Sequence, residues 1–420
     1  MLLPRNYQQR PTGIKLNWKN ITVPYLLFLI FNLSCTAPAK NQSKESLQSE
    51  STSDPVIMAY YVAERDYRPE NIPVEMLTHI IYSFTNVIDG EMKFRNEEVA
   101  GPKIEALVKQ KDRNSDLKVM IACGGWGADG FSDMALTEES RAKFIKSASD
   151  FITKYKLDGM DMDWEYPGIS GAGTMARPED TKNFTALMKG LREMLDKFDS
   201  PKLLTFASAG WKRYYDYVEM AEVMKYADYT NVMTYDQVSG VSIYTGHHTP
   251  LGDVKSEDIA GTPFKSHLDS LYASGDNLDP DPRSSQKIVD FLIKEGVDPK
   301  QIVIGGAFYG RAWKGVPPVN NGLYQLSSGL HIGWMAYHQI RDKYEQDSHF
   351  KRFWDEVAQA PYMYNASDSI FLSYDDTVSV ALKTKYIMEK GLGGIMFWEL
   401  GNDTKEKGSL LDAIYKAANE

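Results

Sequence analysis

Cysteine is nearly missing from this chain of 420 residues, which has only Cys35 and Cys123. So few thiols cannot form a disulfide framework, and the fold must be held by a hydrophobic core. Histidine is also scarce. The adjacent His247 and His248 point to opposite sides if the chain there is extended, which argues against a shared metal. Basic residues occur in short pairs only, and the net charge is −10. That balance excludes nucleic acid as a natural partner and favours an uncharged ligand. The apolar run at residues 21–34, ITVPYLLFLIFNLS, falls short of the about 20 residues that span a membrane comfortably. No internal repeat is visible.

Hydrophobic residues make up 43% of the chain and aromatics 12%, with 25 Tyr, 17 Phe and 8 Trp. A large core is therefore available, and the rings have a second use in stacking on sugars.

The run at 21–34 follows Lys15 and Lys19 and precedes Cys35, the layout of a secretory signal. "LSC" before a polar tract resembles a bacterial lipoprotein signal, in which Cys35 is lipidated; Asn32 departs from that pattern. Residues 1–35 are therefore expected to be a signal and 36–54, rich in Ser, Gln and Lys, a flexible tether. Secretion or attachment at the cell envelope follows, with the membrane reached only through that lipid or signal.

From residue 55 to 420 the pattern is that of a folded domain. Short apolar runs recur: VIMAYYV, HIIYSFTNV, KVMIACGGW, GMDMDWEY, LLTFASAG, YTNVMTYDQ, IVIGGAFYG and GGIMFWEL. They are continuous rather than alternating, as parallel strands covered on both faces are. Helical patterns lie between several of them, among them TEESRAKFIKSASDFITKYK from Thr137, with a capping-box spacing at its start. Eight strands alternating with helices predict an α/β fold, a (β/α)8 TIM barrel. The interval between Tyr309 and Gly393 is too long for one helix, and predicts a small α+β insertion at about 312–372, before the eighth strand.

Within DGMDMDWE, from Asp158, four carboxylates crowd together. Asp161, Asp163 and Glu165 are two apart, so in a strand they share a face, while Met160, Met162 and Trp164 share the other. At the C-terminal end of a barrel strand the inward face is where chemistry sits. Mutual repulsion raises carboxyl pKa values, so one of them stays protonated near neutral pH and serves as a general acid. Glu165, nearest the mouth, is the candidate. A calcium loop would place Gly, Asn or Ser between the acids.

The stretch resembles the D-x-x-D-x-D-x-E signature of glycoside hydrolase family 18, the chitinases. The likeness runs from about Val56 to the end of the chain. CGGW (Cys123–Trp126) resembles the family's S-x-G-G segment with Cys in place of Ser, and MTYD (Met233–Asp236) and YGRAW (Tyr309–Trp313) resemble later-strand motifs. TGHHTPL (Thr245–Leu251) and GGIMFWEL are similar to the family's loop after the sixth strand and its eighth strand.

The resemblance implies a retaining, substrate-assisted mechanism. Glu165 would protonate the glycosidic oxygen and later act as base. Asp163 would hold the acetamido N–H, Asp161 would share a proton with Asp163, and Asp158 would be structural. Tyr235 and Asp236, with Met233 nearby, would bond the acetamido group, Trp398 would floor the distorted sugar, and Arg311 would be a charge partner or sugar contact. Tyr60 and Phe84 are expected to line the same pocket, Trp126 and Trp211 to offer sugar platforms, and Cys123 to be a buried thiol without catalytic duty. No metal or cofactor is implied; the expected partner is chitin or its oligosaccharides, met by a monomer. An endo-β-N-acetylglucosaminidase acting on N-glycans shares the signature, and a chitin-binding lectin would share the fold.

Overall fold

The computed structural model describes residues 54–65, 67–275 and 279–420. The expected signal, Cys35 and the tether up to residue 53 lie outside the described residues.

All eight apolar runs contain strands: Val56–Val62, His79–Ile88, Lys118–Gly124, Gly159–Asp163, Leu203–Ala209, Tyr229–Met233, Ile302–Ala307 and Gly394–Trp398. Each pairs in parallel with the next, and the eighth closes on the first with Val56 opposite Gly394. The result is a closed (β/α)8 barrel. The second strand runs on into a hairpin with Glu91–Lys93. The helix Glu138–Tyr155 begins at Thr137, whose hydroxyl accepts from the Ser140 amide while the Ser140 side chain bonds back to Thr137. This reciprocal cap satisfies two of the amides that a helix start leaves free.

Strand parity divides the core. Met160, Met162 and Trp164 join the large apolar layer between strands and helices, where Trp164 stacks on Phe131. A smaller cluster fills the barrel itself, with Met58, Tyr60, Ile81, Met120, Ala122, Val303 and Met396. Inward positions on the fourth strand carry Asp161 and Asp163, so the barrel centre is polar at one level and apolar around it.

A second sheet of five antiparallel strands follows the seventh barrel strand: Tyr309–Lys314, Gly329–Ala336, Phe350–Asp355, Ala360–Asn365 and Ile370–Ser373. It begins three residues earlier than the 312 boundary read from the sequence, because YGRAW already forms its first strand. It has its own core around Trp313, Tyr324 and Phe371. The chain then enters the helix Thr377–Lys390, capped by Asp376, and returns to the eighth strand.

Candidate active site

The fourth strand ends at Asp163, so Glu165 lies just beyond the strand rather than within it. Its neighbour on the third strand comes unusually close: a Cβ on Gly124 would lie 1.9 Å from the Asp163 carbonyl, and Gly124 has φ +130. Only glycine fits there. The three acids are almost out of water, with Asp161 0%, Asp163 5% and Glu165 8% exposed. That burial decides their chemistry, since a desolvated carboxyl resists ionising.

Asp161 is fully engaged by the protein. Tyr60 donates to its Oδ2 at 2.9 Å, and Thr205 and Asn231 donate to its Oδ1 at 2.5 and 3.1 Å. Burial raises its pKa to about 6, against the opposing effect of these three donors. No hydrogen bond joins Asp161 to Asp163. The barrel interior supplies Asp161 with three donors of its own, Tyr60, Thr205 and Asn231.

Asp163 is the reverse case. Its Oδ1 is buried with no hydrogen-bond partner. Burial, then the Glu165 charge, then that of Asp161 push its pKa well above the carboxylate range. Glu165 is pushed up to about 7 by burial, with a hydrogen bond from Tyr166 acting against the rise and the Asp236 charge adding to it. Asp163 and Glu165 thus retain a proton between them near neutrality.

Asp236 is kept ionised. Its backbone has φ 56, which Asp tolerates better than most residues. Its Oδ1 accepts from Arg311 Nε at 2.6 Å and from the Tyr309 hydroxyl at 2.8 Å. Burial opposes ionisation, but the His248 ring, 3.7 Å away, and the Arg311 guanidinium outweigh it and hold the carboxyl far below its usual range. Arg311 is thus the charge partner of Asp236. His248 donates from Nε2 to the Tyr309 carbonyl, while His247 turns to Asp355 at 3.0 Å.

Tyr235 fits because position 305 is glycine; a Cβ there would meet its ring at 2.8 Å. Its hydroxyl reaches the Met396 sulfur at 3.9 Å, and burial, then the charges of Asp163 and Glu165, raise its pKa well above the usual tyrosine value. Met233 is half-buried beside the same inner cluster. Trp398 stands in a ring group with Phe84, stacked at 5.5 Å, and Tyr60, tilted at 5.7 Å. Tyr60 serves mainly to hold Asp161. Trp126 is 66% exposed, too open for a core residue, and contacts Tyr166, which in turn meets Trp211 edge-on. Asp158 is at the opposite end of the strand, accepting from the Val119 amide and from Lys111 at 2.8 Å.

The third strand requires a correction. Cys123 faces the outer core, and the residue beside Asp161 inside the barrel is Ala122. The family motif is therefore met by Ala122 in the place of its serine, one position earlier than CGGW suggested. Burial raises the Cys123 thiol to about 12, consistent with an inert packing role. Sequence reasoning also missed Thr205, Asn231 and Trp334. The first two were detectable as polar residues inside otherwise apolar strands, which must find buried partners.

Paired buried acids at the C-terminal mouth of a barrel, ringed by aromatics, define a glycosidase-type site. The chain belongs to glycosyl hydrolases family 18, whose model matches residues 56–403. It is 38% identical over 320 residues to chitinase A1 of Niallia circulans, covering 73% of this chain but 44% of that protein. It is 28% identical to chitinase B of Serratia marcescens, over 82% of this chain and 77% of that one. Among solved structures, a family 18 N-acetylglucosaminidase from Paenibacillus barengoltzii superposes with a TM-score of 0.75 at 36% identity. That match covers 87% of this chain and 100% of the other.

Proposed function

We propose that the protein hydrolyses β-1,4-linked N-acetylglucosamine chains with retention of configuration, using the substrate's own acetamide as nucleophile. One observation carries this reading: two polar groups beside Glu165 lack protein partners suited to them. Among the described residues Asp163 Oδ1 is unpaired, and the Tyr235 hydroxyl makes a long hydrogen bond to a sulfur. An acetamido group offers an N–H to the first and a carbonyl oxygen to the second. Held so, that oxygen lies ready to attack the anomeric carbon.

Glu165 gives its proton to the glycosidic oxygen as the bond from the anomeric carbon breaks. The acetamide oxygen closes on that carbon, forming an oxazolinium ion whose positive charge Asp163 offsets. Water then attacks the same carbon, Glu165 takes the water's proton, and the ring reopens. Two inversions leave the configuration unchanged. Neither Asp161 nor Asp236 suits the nucleophile's part, since Asp161 is bound by three donors and Asp236 by Arg311 and Tyr309.

The test compares chitin oligomers with the matching glucose oligomers and follows the anomer first released by proton NMR. Cleavage confined to the acetamido substrate with the β-anomer released first is the expected result. Equal cleavage of both substrates, or release of the inverted anomer, rules the mechanism out. A high-mannose glycopeptide assayed beside them separates chitin from N-glycan cleavage.

We also infer attachment at the cell envelope through a lipidated Cys35, on the strength of the apolar run before it and the polar stretch after it. Cys35→Ala is expected to move the protein from the membrane to the soluble fraction, and an unchanged distribution would refute the anchor.

A further inference from the structure

Two aromatic side chains of the mouth, Trp398 and Trp334, come from different parts of the fold. Trp398 ends the eighth barrel strand, and Trp334 is half-buried on the insertion strand Gly329–Ala336. Trp334 belongs to the site through Tyr309: the two rings stack with centroids 6.3 Å apart, and the Tyr309 hydroxyl bonds Asp236. Yet its indole is not free. The Arg65 guanidinium, from the turn after the first barrel strand, lies 4.4 Å from the ring centroid. At that distance a planar cation covers the aromatic face.

Arg65 has a second hold. Its Nε is 3.4 Å from Oε1 of Glu399, the residue that directly follows Trp398. Glu399 is buried, and among the described residues that oxygen has no close hydrogen-bond donor. The pairing is therefore one of charge at a loose distance, on an arginine side chain that is itself 49% exposed. A residue held this way is placed but not locked. It bridges the barrel, beside Trp398, to the insertion at Trp334.

We propose that Arg65 caps the insertion-side end of the cleft and so sets how many sugars leave in each cut. The proposal rests on the chitin-hydrolysing reading above. A sugar chain extending past Trp398 towards the insertion would naturally stack next on Trp334, since sugar rings pack on indole faces through their apolar C–H groups. With Arg65 on that face, further sugars must displace a cation, while a chain end stopping short meets a donor fork suited to sugar hydroxyls. The capped cleft favours attack near a chain end and the release of one- and two-sugar products.

The test is the ratio of products in the first few per cent of hydrolysis of the hexamer of N-acetylglucosamine, separated by chromatography. The unaltered enzyme is expected to release mainly one- and two-sugar units. In Arg65→Ala the share of three-sugar and longer products should rise about two- to fivefold, the factor equivalent to one exposed cation–π contact. Arg65→Lys, which keeps the charge without the planar cover, should rise less. Adding Trp334→Ala to Arg65→Ala should return the ratio to its starting value, because the uncovered platform is then gone. An unchanged ratio in Arg65→Ala overturns the proposal, and so does a shift that survives loss of Trp334. If the unaltered enzyme leaves the hexamer intact, the functional reading fails and this proposal with it.

Discussion

Replacing Glu165 by Gln is expected to cut reporter release from a chitobiose glycoside by about 10²- to 10⁴-fold, the range for removing a general acid–base. Gln keeps the volume and hydrogen-bonding shape of the side chain but cannot pass a proton. No neighbour is placed to substitute: Asp161 is held by Tyr60, Thr205 and Asn231, and Asp236 is ionised against Arg311. In the proposed mechanism the unpaired oxygen of Asp163 is taken up by the acetamide. Hydrolysis retained in Glu165→Gln would leave the assignment without its acid, and a lectin reading would be refuted with it.

The same variant carries a second signature in pH. Burial raises the Glu165 carboxyl from its ordinary value of 4.5 to about 7. A folded-state pKa above the unfolded one makes a contribution that is complete below the unfolded value and lost as pH rises through the folded one. For Glu165 that loss lies between about pH 4.5 and 7, and the shift corresponds to about 3 kcal/mol. Glu165→Gln carries no such charge. Thermal unfolding should therefore find the variant more stable than the parent at pH 8, by up to about 3 kcal/mol, and close to it at pH 4. In the parent, kcat/KM should fall above about pH 7 as the acid loses its proton. A stability gap independent of pH would show that Glu165 ionises there as freely as in water.

The barrel was readable from the sequence because its strands are buried on both faces, and that burial writes continuous apolar runs that loops cannot imitate. The acids were readable for the same reason, as charges in a stretch where burial was otherwise the rule. What escaped was the pairing across strands. Thr205 and Asn231 are separated from Asp161 by 44 and 70 residues, and nothing local marks which of many polar residues will meet a given acid. The misplacement of Cys123 came from parity: a shift of one residue turns a side chain from the barrel's interior to its outside. Trp334 lies in the insertion, whose fold could be sized but not threaded from sequence, and Arg65 lies on the turn after the first barrel strand, so nothing local marks their contact.

Lys383→Met is expected to cost about 3–5 kcal/mol of stability, the usual result of removing one partner from a buried ion pair. Lys383 and Asp375 are both 0% exposed and 2.6 Å apart. Burial lowers the Lys383 pKa, with the Asp375 charge acting in the opposite direction. Asp375 does more than neutralise it. Its Oδ2 also accepts from the Thr249 hydroxyl and the Ala307 amide, both at 2.9 Å, and its Oδ1 from Ser379. The pair therefore ties three segments together: the loop that carries His248, the end of the seventh strand opposite Trp398, and the helix that returns from the insertion. Removing the ammonium leaves a carboxylate in a site without water, which must either take up a proton or pull those segments apart. Urea unfolding measures the loss directly. Asp375→Asn, which keeps much of the hydrogen bonding but strands the Lys383 charge instead, should be destabilised on the same scale. A change below about 1 kcal/mol in both would put the pair's energy within the range of an exposed ion pair, and water would have to reach it.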